Sequence, residues 1–446
     1  MRLLVLGIDS AEYEILKRIE NELPNLSQLT CKLERYYTTV PPITVPAWLT
    51  LFSGLNPGWF GLYDVKYRVP GTYTEFRLYN RNLVSSYRFL WDLVSESGRG
   101  VILCFVPGST PPPHINGVVV GDFFVPDVSS LDFVYPVGAR RLIAEALGAE
   151  EYIIDVPGYK RMDPRKLFSL LLRKIDLDMK IFLKLLRHVE WSLAICVLMS
   201  IDRAQHTLWK YFDKAHPRFV EDPELEAGLT QLYKRVDYWF SKLLEVVPRD
   251  TAFVLMSDHG AKPMYLRVNI NEVLIREGFL KLRERPTKPL TLQDADKRGL
   301  IDWDRTTAWG WGAYVGQIWI NLKGREPRGT VSREEYEDIC RQVGQLLEKI
   351  TSPDGTRLDN KVFYKWEIYR GTRTRYMPDI TVYFHNLHYG VNTMIGLDDL
   401  YSVETEVGAD DCNHGEYGIF VTSLDDLPRP RTAEEVFQVL KTIVES

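Results

Sequence analysis

The sequence predicts an α/β fold, with a mostly parallel central sheet flanked by helices and a small inserted α+β subdomain. Three observations predict it. Apolar runs of β character recur and end in polar residues: "LLVLGID", "GVILCFV", "LAICVLMSID" and "TAFVLMSDHG". Segments of helical periodicity lie between them, the order that builds a parallel sheet covered on both faces. From about residue 262 the texture turns loop-rich and aromatic, which predicts an insertion over 262–377 that rims a substrate pocket, with 1–261 and 378–446 forming the core.

Taken in order, "MRLLVLGID" is a strand ending at Asp9. The stretch "VPPITVPAWLTLFSGLNPGWFGLYD" follows at residues 40–64; its prolines fix their own φ and restrict the residues before them. After Ala47, "WLTLFSG" reads as a short helix closed by Gly54, which puts Thr44 at or near a helix N-terminus. A threonine there is a cap, or a hydroxyl held where backbone N–H groups favour an anion. "SSYRFLWDLVSESG" and "LEAGLTQLYKRVDYWFSKLLEVV" are helical patterns, and "KLFSLLLRKIDLDMKIFLKLLRH" is a core-covering helix with charges too frequent for a membrane span. In the insertion, "GQIWINLKG" reads as a strand, and Ser332 and Glu335 form a capping box before an amphipathic helix. "MPDITVYFHN" reads as a strand returning to the core.

The 446 residues, 45% hydrophobic and 26% charged, suffice for a large buried core. A net charge of −5 excludes nucleic-acid binding by bulk positive charge. The five cysteines are scattered without a C-x-x-C pair, and the short apolar start is no signal peptide, so a reducing cytoplasm and no membrane partner are expected.

Ligands of parallel sheets gather at strand C-termini. That rule selects Asp9, Asp202 and the Asp258-His259 pair. In "MSIDRAQHTLW", Asp202 and His206 are four apart, able to share a cation on one helical turn or to form a structural ion pair. Asp258 and His259 meet at a strand end before Gly260, and His414 lies in the Gly-rich turn "DDCNHGEYG". Asp9 and His414 are ambiguous singly. Together these residues offer enough oxygen and nitrogen for two divalent cations, with zinc or manganese favoured by the imidazoles.

"PPITVPAWLTLFSGLNPG", "IDRAQHTLW", "SDHGAKP" with "VNINEVLIREGFL", and "NHGEYGIF" resemble the alkaline phosphatase superfamily, in its type I phosphodiesterase/nucleotide pyrophosphatase branch. The resemblance implies an alkaline-phosphatase-like sandwich and hydrolysis of a small-molecule phosphate ester, diester somewhat preferred. It implies one metal held by Asp202, His206 and His414, and another by Asp9, Asp258, His259 and Thr44, with Thr44 the nucleophile of a phosphothreonine intermediate. Relatives usually carry Asn three residues after the nucleophile as a phosphate contact; Ala47 stands there here. Arg203, Gln205 and Lys262 are candidate replacements, and Trp48, Trp209 and Tyr63 candidate pocket walls. His385 and His388 are within reach of the site from the returning strand, whereas His114, His188 and His216 have no matching motif.

The setting Thr44-Val45-Pro46-Ala47-Trp48 does not fit a sulfatase, and threonine in place of serine disfavours a phosphoglycerate mutase. No Gly-Lys-Ser/Thr phosphate loop occurs. The alternatives are a phosphomonoesterase or phosphoryl-transfer enzyme of the same superfamily, and a non-catalytic metal-containing binding protein.

Overall fold

The structure is a computed structural model and describes residues 1–405 and 408–446. An eight-stranded sheet forms its centre. Its strands are β1 (Arg2–Ile8), β2 (Glu34–Tyr37), β3 (Val101–Cys104), β4 (Gly117–Val120), β5 (Val134–Tyr135), β6 (Leu193–Leu198), β7 (Thr251–Met256) and β8 (Tyr417–Thr422). They lie in the order β2-β8-β7-β1-β6-β3-β4-β5. The run β7-β1-β6-β3-β4 is parallel, and β2, β8 and β5 are antiparallel additions at the edges. All four apolar runs singled out in the sequence are therefore adjacent parallel strands.

Their unbroken apolar character follows from burial on both faces. In β1, Leu4, Leu6 and Ile8 join one core with the helices α2 (Pro164–His188), α3 (Ser200–Phe212) and α4 (Gly228–Val246). Leu3 and Val5 point the other way, into a core with α1 (Thr44–Ser53) and α5 (Ala433–Glu445). Gly7 interrupts this second row because the Trp48 ring of α1 lies on it. A Cβ at Gly7 would meet Trp48 Cη2 at 2.6 Å and Val197 Cγ2 at 2.9 Å.

Residues 308–383 supply a separate four-stranded antiparallel sheet, ordered Ala308–Trp311, Gly316–Ile320, Ile380–Tyr383, Lys361–Tyr364, around a third core rich in tryptophan. Ile380–Tyr383 was expected to return to the central sheet. It pairs instead with Gly316–Ile320 and Lys361–Tyr364. A short apolar run shows that a strand is buried but not which sheet buries it, and that is why the sequence misplaces it. The capping box forms as expected: the Ser332 amide donates to Glu335 Oε2 at 3.0 Å and the Glu335 amide to Ser332 Oγ at 3.3 Å. Arg68 ties the insertion to the segment after α1 through two buried 2.8 Å bonds to Glu326.

Among the described residues, no helix is long and apolar enough to cross a membrane. Replacing Gly7 with Ala should overpack the β1–α1 contact and lower stability by about 1–3 kcal/mol. A urea midpoint unchanged from wild type would show that Trp48 can move aside.

Candidate two-metal site

Asp9 follows β1 directly, and Asp258 and His259 follow β7, the strand beside it. Beyond the end of β6, on the other side of β1, the chain turns into α3, which begins two residues before Asp202. The spacing then sets Asp202 and His206 on one side of the first turns, with His206 Nε2 3.3 Å from Asp202 Oδ1. His414 was expected in a turn. It lies in the short strand Cys412–Gly415, opposite Ala261 in an antiparallel pair with Gly260–Pro263. That pairing brings His414 beside His259, their rings stacked with centroids 3.9 Å apart.

Two compact groups result, Asp202-His206-His414 and Asp9-Asp258-His259, each with its ligand atoms within 4.8 Å of one another and every member buried. His414 Nε2 is 3.3 Å from His206 Nε2, and His259 Nε2 is 3.2 Å from Asp258 Oδ2 and 3.9 Å from Asp9 Oδ1. Thr44 Oγ1 lies 3.5 Å from His259 Nε2. The helix at Thr44 starts earlier than the sequence indicates. Thr44 is its first residue, Ile43 occupies the cap position, and no side chain caps it. The hydroxyl is thus not spent on capping.

Each aspartate is anchored through one oxygen and leaves the other unpaired. Trp48 Nε1 donates to Asp9 Oδ2 at 2.7 Å, Arg203 Nη1 to Asp202 Oδ2 at 2.8 Å, and the Ser10 amide to Asp258 Oδ1 at 3.2 Å. Asp9 Oδ1, Asp202 Oδ1 and Asp258 Oδ2 are buried without a hydrogen-bond partner. The imidazoles repeat the pattern. Nδ1 of His206 faces Asp410 Oδ1 at 2.7 Å, that of His259 faces the Gly260 carbonyl at 2.9 Å, and that of His414 faces the Pro42 carbonyl at 2.6 Å. An oxygen acceptor at Nδ1 requires the N–H there, which turns Nε2 toward the site as a ligand. Buried oxygens left unpaired beside imidazole nitrogens are costly without a cation, so this donor set fits two borderline divalent ions.

The electrostatics agree. Burial, then the neighbouring Asp258 and Asp202, push the Asp9 carboxyl well above its ordinary range, and burial also raises Asp258. Burial, then His259 and His206, hold His414 well below the usual histidine value. Burial opposes charge on His206 too, but Asp410 and Asp202 overcome it and raise that group to about 9.

A cleft of about 400 Å³ opens beside Thr44, Asp202, His206 and His414. Trp311, the last residue of its strand, and Tyr314 in the turn after it form one wall, and Phe123, Tyr159, Asp64 and Lys66 form others. Arg203 lines it, held by Asp155 at 2.9 and 3.1 Å as well as by Asp202. The other candidate substrate contacts lie elsewhere. Gln205 donates to the Ser10 carbonyl at 2.8 Å, bracing a residue at φ 61° between Asp9 and the hairpin. Trp48 is fully buried against Asp9, and Tyr63 is core. Ala47 is buried in α1. Lys262 donates to the Asn386 carbonyl at 3.0 Å, and with Trp209 and His388 it lines a different cavity of about 740 Å³. His385 abuts His388, their rings 5.5 Å apart. Sequence reasoning missed Asp410, Lys160 and Tyr314, whose only signal was a doublet of aspartates near His414.

The trapped like charges make the site a stability liability when empty. Asp258→Asn should therefore raise the stability of metal-free protein by at least about 1 kcal/mol, the scale of one pKa unit. It should also abolish the stabilisation that zinc gives wild type. Thermal melts with and without chelator check both; a zinc-induced shift that survives the substitution would remove Asp258 from the ligand set.

No curated protein sequence matches the chain significantly. Solved structures share its fold. Phosphonoacetate hydrolase from Sinorhizobium meliloti, in complex with phosphonoformate, superposes with a TM-score of 0.63 at 15% identity, over 100% of this chain and 96% of that one. Human ectonucleotide pyrophosphatase/phosphodiesterase 5 gives 0.56 at 10% identity, over 100% and 95%. An inactive form of the murine enzyme in complex with AMP gives 0.55 at 10% identity, over 100% and 95%. The family model for type I phosphodiesterase/nucleotide pyrophosphatase matches residues 3–410, and with nearly the whole chain so covered, this protein belongs to that family of phosphoric ester hydrolases.

Proposed function

We propose that the protein hydrolyses phosphodiesters of small molecules through a covalent intermediate on Thr44. The observation that carries this reading is the uncapped Thr44 hydroxyl at the head of α1, 3.5 Å from His259 Nε2 and on the wall of the cleft that holds the second ligand group. Two divalent cations, zinc or manganese by donor type, would supply Lewis-acid stabilisation of negative charge on the threonine oxygen and the phosphoryl group. Asp9, Asp258 and His259 would hold one and Asp202, His206 and His414 the other.

Thr44 Oγ attacks phosphorus in line. The bond from phosphorus to the departing oxygen breaks, and that oxygen leaves as an alcohol with the proton given up by Thr44. Water then attacks the phosphothreonine, releases the monoester product and restores the hydroxyl. The first turn of α1 directs backbone N–H groups and the positive end of its dipole toward the reacting phosphoryl group. Burial among α1 and its proline-rich approach fixes the hydroxyl before substrate arrives, which reduces the cost of positioning.

Charge favours the diester. Among the described residues, Arg203 and Lys66 are the only lysine or arginine side chains along the cleft, and Arg203 is committed to two aspartates. A dianionic monoester would bring a second negative charge with little to meet it. The AMP held by the murine neighbour is compatible with a nucleotide-sized substrate. The reading also puts the protein in a reducing cytoplasm, which its free cysteines suit.

Thr44→Ala should keep both metals and lose turnover of a chromogenic bis-aryl phosphodiester by about a thousandfold or more. Wild-type protein should cleave the diester faster than the matching monoester. Wild-type rates in the variant would remove Thr44 as nucleophile. Metal-loaded wild type inert on both esters would favour the non-catalytic alternative.

A further inference from the structure

His206 differs from the other two imidazoles in its anchor. His259 and His414 lean on backbone carbonyls alone, whereas Nδ1 of His206 faces the Asp410 carboxylate at 2.7 Å, with the Cys412 carbonyl farther off at 3.2 Å. Asp410 is fully buried, and its second oxygen does not face the site. It pairs with Lys160 Nζ and lies 3.4 Å from Arg267 Nη2. Lys160 comes from the single turn Tyr159–Arg161, whose Tyr159 lines the cleft. Its ammonium also donates to Tyr314 Oη at 3.2 Å. The Tyr314 ring stacks on His414, centroids 4.1 Å apart, and on His206 at 5.1 Å. Arg267 is pinned on its other side by the Ala313 and Val391 carbonyls, at 2.9 and 3.2 Å.

We propose that Lys160 is a positioning residue for the Asp202-His206-His414 ion, acting through Asp410 to aim His206. A carboxylate unsupported at its far oxygen could rotate about its own side-chain bonds and draw the ring away from the Cys412 carbonyl, the weaker of the two acceptors at Nδ1. Lys160 and Arg267 fix the far oxygen from two directions, which leaves the near oxygen one position and the ring one orientation. Lys160 is the only one of the two cations that also reaches the cleft wall, so this ligand is tied to the aromatic side of the substrate cleft. Among the described residues, the Asp9-Asp258-His259 group has no link of this kind. Carboxylates behind ligating histidines typically change metal affinity by about 10–100-fold when removed.

The inference rests on the two-ion reading above, and one experiment separates them. Full-length protein is stripped and titrated with zinc against a chromogenic chelator. Wild type should take two ions. Lys160→Met, close in length but uncharged, should weaken one by about 10–100-fold and leave the other unchanged, and Lys160→Arg should restore most of the loss. In an Asp410→Asn background, Lys160→Met should add little, since its effect passes through that carboxylate. Two ions bound by Lys160→Met as tightly as by wild type would overturn the inference and leave the two-ion reading standing. Equal weakening of both ions, or full additivity with Asp410→Asn, would overturn it as well. Wild type that takes no pair would sink both.

Discussion

Three aspartates brought out of water with one oxygen each left unpaired are the constraint on which the rest of this structure turns. Burying a carboxylate is costly unless it is paired, and burying three together adds mutual repulsion. The fold holds them nonetheless, through an indole N–H on Asp9, a guanidinium on Asp202 and a backbone amide on Asp258. Each anchor satisfies one oxygen and orients the other. The surrounding structure then serves those anchors. Gly7 exists to admit the Trp48 ring, Arg203 is fixed in turn by Asp155, and the Ser10 amide is presented by a left-handed residue braced by Gln205.

The parallel sheet explains how residues so far apart in sequence share one pocket. Parallel strands deliver their C-terminal ends to one edge, and β6, β1 and β7 are neighbours there. Asp202, Asp9 and Asp258 are the first acidic residues each strand meets on leaving the sheet. The antiparallel hairpin of Gly260–Pro263 with Cys412–Gly415 adds His414 from the far end of the chain, and α1 adds Thr44. The proline-rich approach to α1 has a second use, since the Pro42 carbonyl fixes His414.

Much of this is legible in the sequence, for a physical reason. Strands buried on both faces carry unbroken apolar runs, so the four central ones and the acids at their ends can be read directly. The candidate metal ligands could be grouped by motif because their types suit only a few chemistries. What could not be read is direction and partnership. Gln205, Lys262 and Trp209 are close to ligands in sequence, yet their side chains turn to Ser10, Asn386 and Asp213. Asp410 is 204 residues from His206 and 250 from Lys160, and no local periodicity links them. Ile380–Tyr383 has the same apolar look as a central strand and sits in the other sheet.

A site that repels itself when empty is the natural outcome of building for charge that arrives later. Groups anchored in place before ligands arrive need not reorganise as negative charge develops on a phosphoryl group, and that fixed arrangement is where most electrostatic stabilisation of a transition state originates. A softer arrangement, with each aspartate free to find a lysine, would be more stable and would have to be undone on every turnover. Here three of the cations near the site hold outer carboxylate oxygens: Arg203 that of Asp202, Lys160 and Arg267 that of Asp410. Arg203 thus holds the outer oxygen of Asp202 and leaves its inner one unpaired, while the inner oxygen of Asp410 is taken by His206 Nδ1, so none of these cations neutralises the buried oxygens that face the pocket.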